Sequence, residues 1–165
     1  MPLLIDGYNL LHVTGIVGHG KRKSALHNSR IALLNFLAAS LAPKDRSRTT
    51  IVFDALAAPR GLPRVLQHCE MVVRFAARGQ SADALIEELI QMETAPRQLT
   101  VVSSDRRIQR AARRRKAKVV GSDVWYAMLL RERQKRQMSM REVDERPPIP
   151  LLAEDVNYWL REFRL

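Results

Sequence analysis

Several aspartates in this chain fall where apolar runs end or helices begin. Asp6 closes Leu3-Leu4-Ile5, and Asp54 closes Thr49-Thr50-Ile51-Val52-Phe53. Asp105 follows Leu99–Ser103 after one residue, Ser104, and Asp123 follows Lys118-Val119-Val120 after Gly121 and Ser122. Asp83 stands just after Ser81, at the start of a helical pattern. If those apolar runs are parallel strands, all of these carboxylates come to one edge of one sheet, where open α/β sheets bind their ligands. Carboxylates gathered at one edge repel one another, and a hard divalent cation relieves that repulsion. Mg²⁺ or Mn²⁺ suits such an all-oxygen set, whereas the histidines show no zinc spacing. A cation held there could lower the pKa of a water and orient it for attack on a phosphodiester. Taken singly, each acid also has a structural reading. Asp83, Asp105 and Asp123 sit where helix caps and first-turn acids are favoured, and Asp6 and Asp54 could be turn residues.

The charge balance points the same way. The chain has 165 residues, with 28 Lys and Arg against 17 Asp and Glu, a formal net charge of +11. Such an excess implies a polyanionic partner, nucleic acid first and an acidic membrane surface second. The densest run, Arg106 to Lys118, begins immediately beside Asp105. Arg106, Arg107 and Arg110 are therefore expected to hold phosphate next to the acids, with Lys21, Arg22 and Lys23 doing so from a loop at the rim. One cysteine excludes an internal disulfide and any zinc site of several thiolates. No apolar run reaches the length of a membrane span and the N-terminus lacks a signal-peptide pattern, so a cytoplasmic protein is expected.

The elements that must position these groups can be read from periodicity. Strands are expected at Leu3–Ile5, Thr49–Asp54, Met71–Phe75, Leu99–Ser103 and Lys118–Val120. Helices are expected over Ser24–Leu41, Ala82–Glu93 with Ser81 as N-cap, from Ser104-Asp105 onward, and from Ser122 to about Gln134. A Gly- and His-containing loop is expected from Gly7 to about Lys23. Residues 55–68, with Pro59, Gly61 and Pro63, read as a connection with at most a turn of helix. Strands alternating with helices argue for an α/β domain with a mainly parallel sheet and helices on both faces. That domain is expected over residues 1–135. Residues 136–165 are expected to form a charged, Pro-containing arm and an amphipathic helix whose Leu152, Val156, Trp159, Leu160 and Phe163 pack on the domain.

Four segments together resemble a known family. Leu4-Ile5-Asp6-Gly7-Tyr8-Asn9-Leu10-Leu11 resembles the opening motif of NYN-domain proteins, in particular the YacP-like group of the PIN-like nuclease superfamily. Ile51–Ala55, Ser81–Ile86 and Val101–Asp105 resemble that group's second strand, acid-bearing helix start and fourth strand, in the family's order. The resemblance implies a three-layer PIN-like domain with a five-stranded sheet of order 3-2-1-4-5. It also implies metal-dependent RNA cleavage, with Mg²⁺ or Mn²⁺ on Asp6, Asp83 and Asp105. By the same resemblance Asn9 shapes the first motif and touches substrate or a metal-bound water, or else braces its loop. Asp123 stands where a fourth acid could reach the pocket, and Asp54 could brace the loop after the first strand. Many relatives carry a further Glu soon after the helical Asp; here Glu87, one turn beyond Asp83, either compensates or lies on a solvated helix face.

Other signals carry less. Gly15 to Arg22 departs from a phosphate-binding P-loop, because Arg22 stands where Ser or Thr must hold Mg²⁺. Tyr8 either stacks a base or packs on the following helix. Cys69 is expected to be buried or incidental. The sequence thus reads as a metal-dependent ribonuclease, most simply an endonuclease, acting on single-stranded or ribosome-associated RNA. Its alternative is a non-catalytic RNA-binding module on the same scaffold.

Overall fold

The computed structural model describes residues 2–16, 22–54 and 64–144, without the side chains of 22–24 and 140–144. Met1–Glu132 and Arg133–Leu165 are two compact units. Within the described residues the order is β1 (Leu3–Asp6), α1 (Gly7–Thr14), α2 (Arg22–Ser40), α3 (Pro43–Arg46), β2 (Thr49–Phe53), β3 (Val65–His68) and β4 (Met71–Phe75). There follow α4 (Ala82–Met92), β5 (Thr100–Val102), α5 (Arg106–Arg114), β6 (Lys118–Val120) and α6 (Ser122–Asp144).

The strands form one six-stranded sheet of order β3-β4-β2-β1-β5-β6. β1 lies at its centre, parallel to β2 and β5, with Leu3 level with both Thr49 and Thr100. The parallel strands β4-β2-β1-β5-β6 carry the expected 3-2-1-4-5 order. β3 is the addition, antiparallel to β4 at the edge. Residues 65–68 therefore pair as a strand rather than merely connect. Their turn hid them, because Cys69 and Glu70 both take positive φ (47° and 70°) with no Gly or Asn to announce a hairpin. Cys69 is exposed at that tip and not buried.

Side chains alternate across the sheet as a strand's period of two requires. Ile5, Ile51, Phe53 and Val102 join Leu10 of α1, Leu33 and Leu37 of α2, and Trp125 and Leu129 of α6. Leu4, Val52 and Val101 join Ile86 and Ile90 of α4 and Ile108 and Ala112 of α5 on the other face. The two clusters make three layers, with helices on both faces.

The loop expected after β1 is instead helix α1 up to Thr14, closed by Gly15 in the left-handed region (φ 63°). Gly7 permits this immediate start, since a Cβ there would stand 2.3 Å from the Phe53 ring. Arg22 and Lys23 belong to α2; Lys21 lies outside the described residues. α6 runs on to Asp144, past the expected end near Gln134. Residues 136–144 lack a helix breaker, so this charged stretch continues the helix and is not a linker. The proline-containing segment and the amphipathic stretch 151–165 lie outside the described residues, as do residues 55–63.

Candidate functional site

β1 is where the strand order reverses, because β2 and β4 lie to one side and β5 and β6 to the other. Helices α1, α5 and α6 begin just after β1, β5 and β6, so their N-termini meet at the C-terminal edge of the sheet. Each start is held by a polar side chain, as orphan N–H groups require. Asp6 Oδ1 accepts from Asn9 N (3.1 Å). Asp105 Oδ1 accepts from Arg107 N (2.6 Å) and Ile108 N (3.1 Å). Ser104 Oγ accepts from Ser122 N (3.0 Å). Helix α4 is begun by Ser81, whose Oγ accepts from Ala84 N (3.2 Å), and by Asp54, whose Oδ1 accepts from Ala82 N (2.7 Å).

A second set of bonds ties the segment after β1 to the segment after β5. Ser103, fully buried, donates its hydroxyl to Asp6 Oδ2 (3.0 Å) and accepts from Asp105 N (3.1 Å). Asn9 Oδ1 accepts from Ser104 N (3.2 Å), the bracing role among its two sequence readings. Gln109 Nε2 donates to the Ser103 carbonyl (2.9 Å). Sequence reasoning placed Ser104 at the start of a helix and passed over Ser103. The signal was its place on the strand side of the Ser-Asp pair, level with Asp6 across β1 and β5.

Asp6, Asp83 and Asp105 are brought within reach of one another's charge. Burial pushes the Asp6 carboxyl up, the Asn9 N–H and Ser103 hydroxyl pull it down, and the Asp83 and Asp105 charges push it further up. Asp83 is also raised, first by burial, then by Asp105 and Asp54; Arg107 opposes this and Glu87 adds to it. Asp54 thus braces α4 and adds its charge to the cluster. Asp123 is exposed in the first turn of α6, and no hydrogen bond among the described residues joins it to the other acids. Its Oδ1 instead fills the space beside Gly121, where a Cβ would meet it at 2.7 Å.

Glu87 is not on an unpartnered face. Arg107 Nε donates to its Oε1 (2.8 Å) and Arg107 Nη2 to its Oε2 (2.7 Å), a two-pronged pair between α4 and α5. Arg106 and Arg110 are exposed, with no ion-pair partner among the described residues. Tyr8 packs edge-on against Phe53, ring centroids 5.4 Å apart, with its hydroxyl buried. This is its packing reading rather than a free stacking face. Behind it the buried Arg30 guanidinium lies 5.2 Å from the Phe75 ring centroid.

Among the described residues no three His, Cys, Asp or Glu side chains are drawn together as a ligand set for one ion. The donor chemistry nonetheless fits a hard divalent cation. It is all oxygen and mutually repelling, and Asp83 and Asp105 Oδ2 are not used as caps. Asp6 has both oxygens engaged by protein donors, though each oxygen keeps a further lone pair.

The family model of the YacP-like NYN domain matches residues 3–157. Solved structures that share the fold include two of one protein. The crystal structure of Rae1 (YacP) from Bacillus subtilis is 22% identical with a TM-score of 0.65, covering 99% of this chain and 94% of that one. A Trp-to-Leu variant of the same protein is 22% identical with a TM-score of 0.64, covering 94% of this chain and 91% of that one. No curated protein matches.

Proposed function

The chain belongs to the YacP-like NYN domain family, within the PIN-like nucleases, and from that premise we propose that it is a metal-dependent ribonuclease. It acts as an endonuclease, hydrolysing RNA phosphodiester bonds at the acid cluster on the C-terminal edge of the sheet. The observation that carries this reading is the gathering of Asp6, Asp83 and Asp105, from three separate segments, to where the charges of Asp83 and Asp105 push Asp6 up and that of Asp105 pushes Asp83 up. A fold that needed only helix caps could use Ser or Asn and avoid that repulsion.

In this reading Asp6, Asp83 and Asp105 hold Mg²⁺ or Mn²⁺. Bound there, the cation supplies water activation and offsets phosphate charge. The protein's own part is positioning. The Ser103 hydroxyl fixes the Asp6 carboxylate, and Asn9 locks the start of α1 to the segment after β5. Asp123 stands at the rim on α6 as a further acid. Arg106 and Arg110 hold the strand by its phosphates, with Lys21, Arg22 and Lys23 as further phosphate contacts. Arg107 is engaged by Glu87 and contributes charge rather than an open contact. The substrate is single-stranded or ribosome-associated RNA.

One observation favours a second reading, a non-catalytic RNA-binding module. Asp6 and Asp105 already serve as helix caps, and no closed ligand set is formed among the described residues. Cleavage of a mixed-sequence single-stranded RNA separates the two, with Mn²⁺, Mg²⁺ or excess chelator and with Asp83→Asn beside the wild type. Metal-dependent cleavage by the wild type alone is expected. Retention of RNA without cleavage, equal in both proteins and in chelator, would establish the binding module instead.

A further inference from the structure

Helix α5 reads Arg106-Arg107-Ile108-Gln109-Arg110-Ala111-Ala112-Arg113-Arg114, and Ile108 and Ala112 anchor it in the core. At 3.6 residues per turn, Arg106, Arg110 and Arg113 fall on one stripe about 60° wide, and Arg107 and Arg114 on a second stripe beside it. The two stripes differ in what they meet. The second faces Glu87 of α4. That carboxyl is held below the ordinary range first by its hydrogen bonds from Arg107, with the charges of Arg107 and Arg114 adding. The first stripe meets no carboxylate among the described residues; Arg113 donates only to Gln109 Oε1 (3.2 Å), and all its arginines are exposed. Along the helix axis Arg110 lies about 6 Å and Arg113 about 10.5 Å beyond Arg106. The first step is close to the stride between neighbouring phosphates of an extended strand; the second, about 4.5 Å, is shorter, and the long arginine side chains can splay to span it. The stripe begins one residue from Asp105.

We propose that the Arg106–Arg110–Arg113 stripe is a track for one strand of RNA, leading away from the acid cluster, and that Arg107 is outside it because Glu87 holds it. One unneutralised row meets one row of phosphates. A duplex would set a second row against the stripe that Glu87 already partners. The substrate is therefore single-stranded over the nucleotides next to the cleaved bond on the α5 side. The end of the track at the acids rests on the nuclease reading; the track itself rests on charge.

The test is binding by the full chain in chelator, with a labelled single-stranded RNA, its duplex, and vesicles of phosphatidylglycerol in phosphatidylcholine. Each is titrated against salt. Neutralising one phosphate contact removes about 0.7 from the slope of log K against log salt for a single strand. The triple variant Arg106→Gln, Arg110→Gln, Arg113→Gln is expected to lower that slope by about 2 while keeping its melting temperature. Arg107→Gln is expected to leave it unchanged. An unchanged slope in the triple variant, an equal loss in Arg107→Gln, an equal loss on duplex, or a loss confined to vesicles would each overturn the track. Cleavage is scored separately with Mn²⁺. A protein that cleaves with an unaltered slope refutes the track alone. One that never cleaves but loses slope refutes the nuclease reading alone.

Discussion

Ser103→Ala removes one hydroxyl from a fully buried position where β5 meets β1. That hydroxyl serves two partners, donating to Asp6 Oδ2 over 3.0 Å and accepting from Asp105 N over 3.1 Å. A hydrogen bond to a charged group contributes about 1.5–3 kcal/mol. Asp105 is half-exposed, so water can reach its freed N–H, and that loss is nearer 0.5–1 kcal/mol. The expected destabilisation is about 3 kcal/mol at neutral pH, or a fall in Tm of roughly 6–12 °C for a domain of this size. The pH dependence follows from Asp6, whose carboxyl is already raised by burial and is pulled down by this bond. Without the bond it rises further. A carboxyl raised in the folded state weakens the fold as pH climbs through that raised value, because folding then costs a proton the unfolded chain does not bind. The loss is therefore largest at neutral pH. It shrinks to about 1.5–2 kcal/mol as pH falls through that raised value, since the bond to protonated Asp6 is a neutral one of about 1 kcal/mol and the loss at the Asp105 N–H remains. Urea unfolding at a series of pH values, with unchanged m, measures it. A loss under about 0.5 kcal/mol at neutral pH, or the same loss at every pH, would refute the reasoning.

Asp83→Asn is expected to raise the melting temperature of the metal-free protein at neutral pH. It removes a carboxyl raised by burial and by its acidic neighbours. The gain should fade as pH falls through Asp83's raised value, since the wild type then carries the proton itself, and thermal melts in chelator at several pH values follow it. Mn²⁺ should stabilise the wild type more than this variant, read as a difference in Tm shift. Gly7→Ala sets a methyl 2.3 Å from the buried Phe53 ring and should cost about 1–3 kcal/mol in denaturant unfolding. Lys116→Gly relieves a non-glycine residue at φ 62° after α5 and should gain about 0.5–1 kcal/mol by the same measurement.

The parallel strands were legible because each is a short apolar run bounded by a breaker or an acid, and the acids that end them told where the functional edge lies. The edge strand β3 was not legible. A hairpin normally declares itself by Gly or Asn at positive φ, and Cys69 and Glu70 hold that geometry without either. Helix α1 was hidden by its own first residue, since Gly7 reads as a turn signal until Phe53 is seen in the place of its Cβ. At the site, residue type alone gave the aspartates two readings, and Asp105 takes up both features at once. It caps α5 and also adds its charge to Asp6 and Asp83. The Glu87–Arg107 pair was beyond reach, because α4 and α5 must be packed side by side before residues 20 apart can meet.

The bonds between Asp6 and Ser103 and between Asn9 and Ser104 join residues 97 and 95 apart in the chain. A ribosome releases the N-terminal part first, so β1 and β2 can pair while β5 is still unmade. Until residue 105 has emerged, the first motif has no Ser103 beneath it and no Asp105 beside it. A half-made copy carries Asp6 and Asp83 but not the assembled edge. On the reading proposed, a protein made within reach of its own messenger stays harmless to it through most of its synthesis, and the ability to cut arrives only when β1 is flanked on both sides.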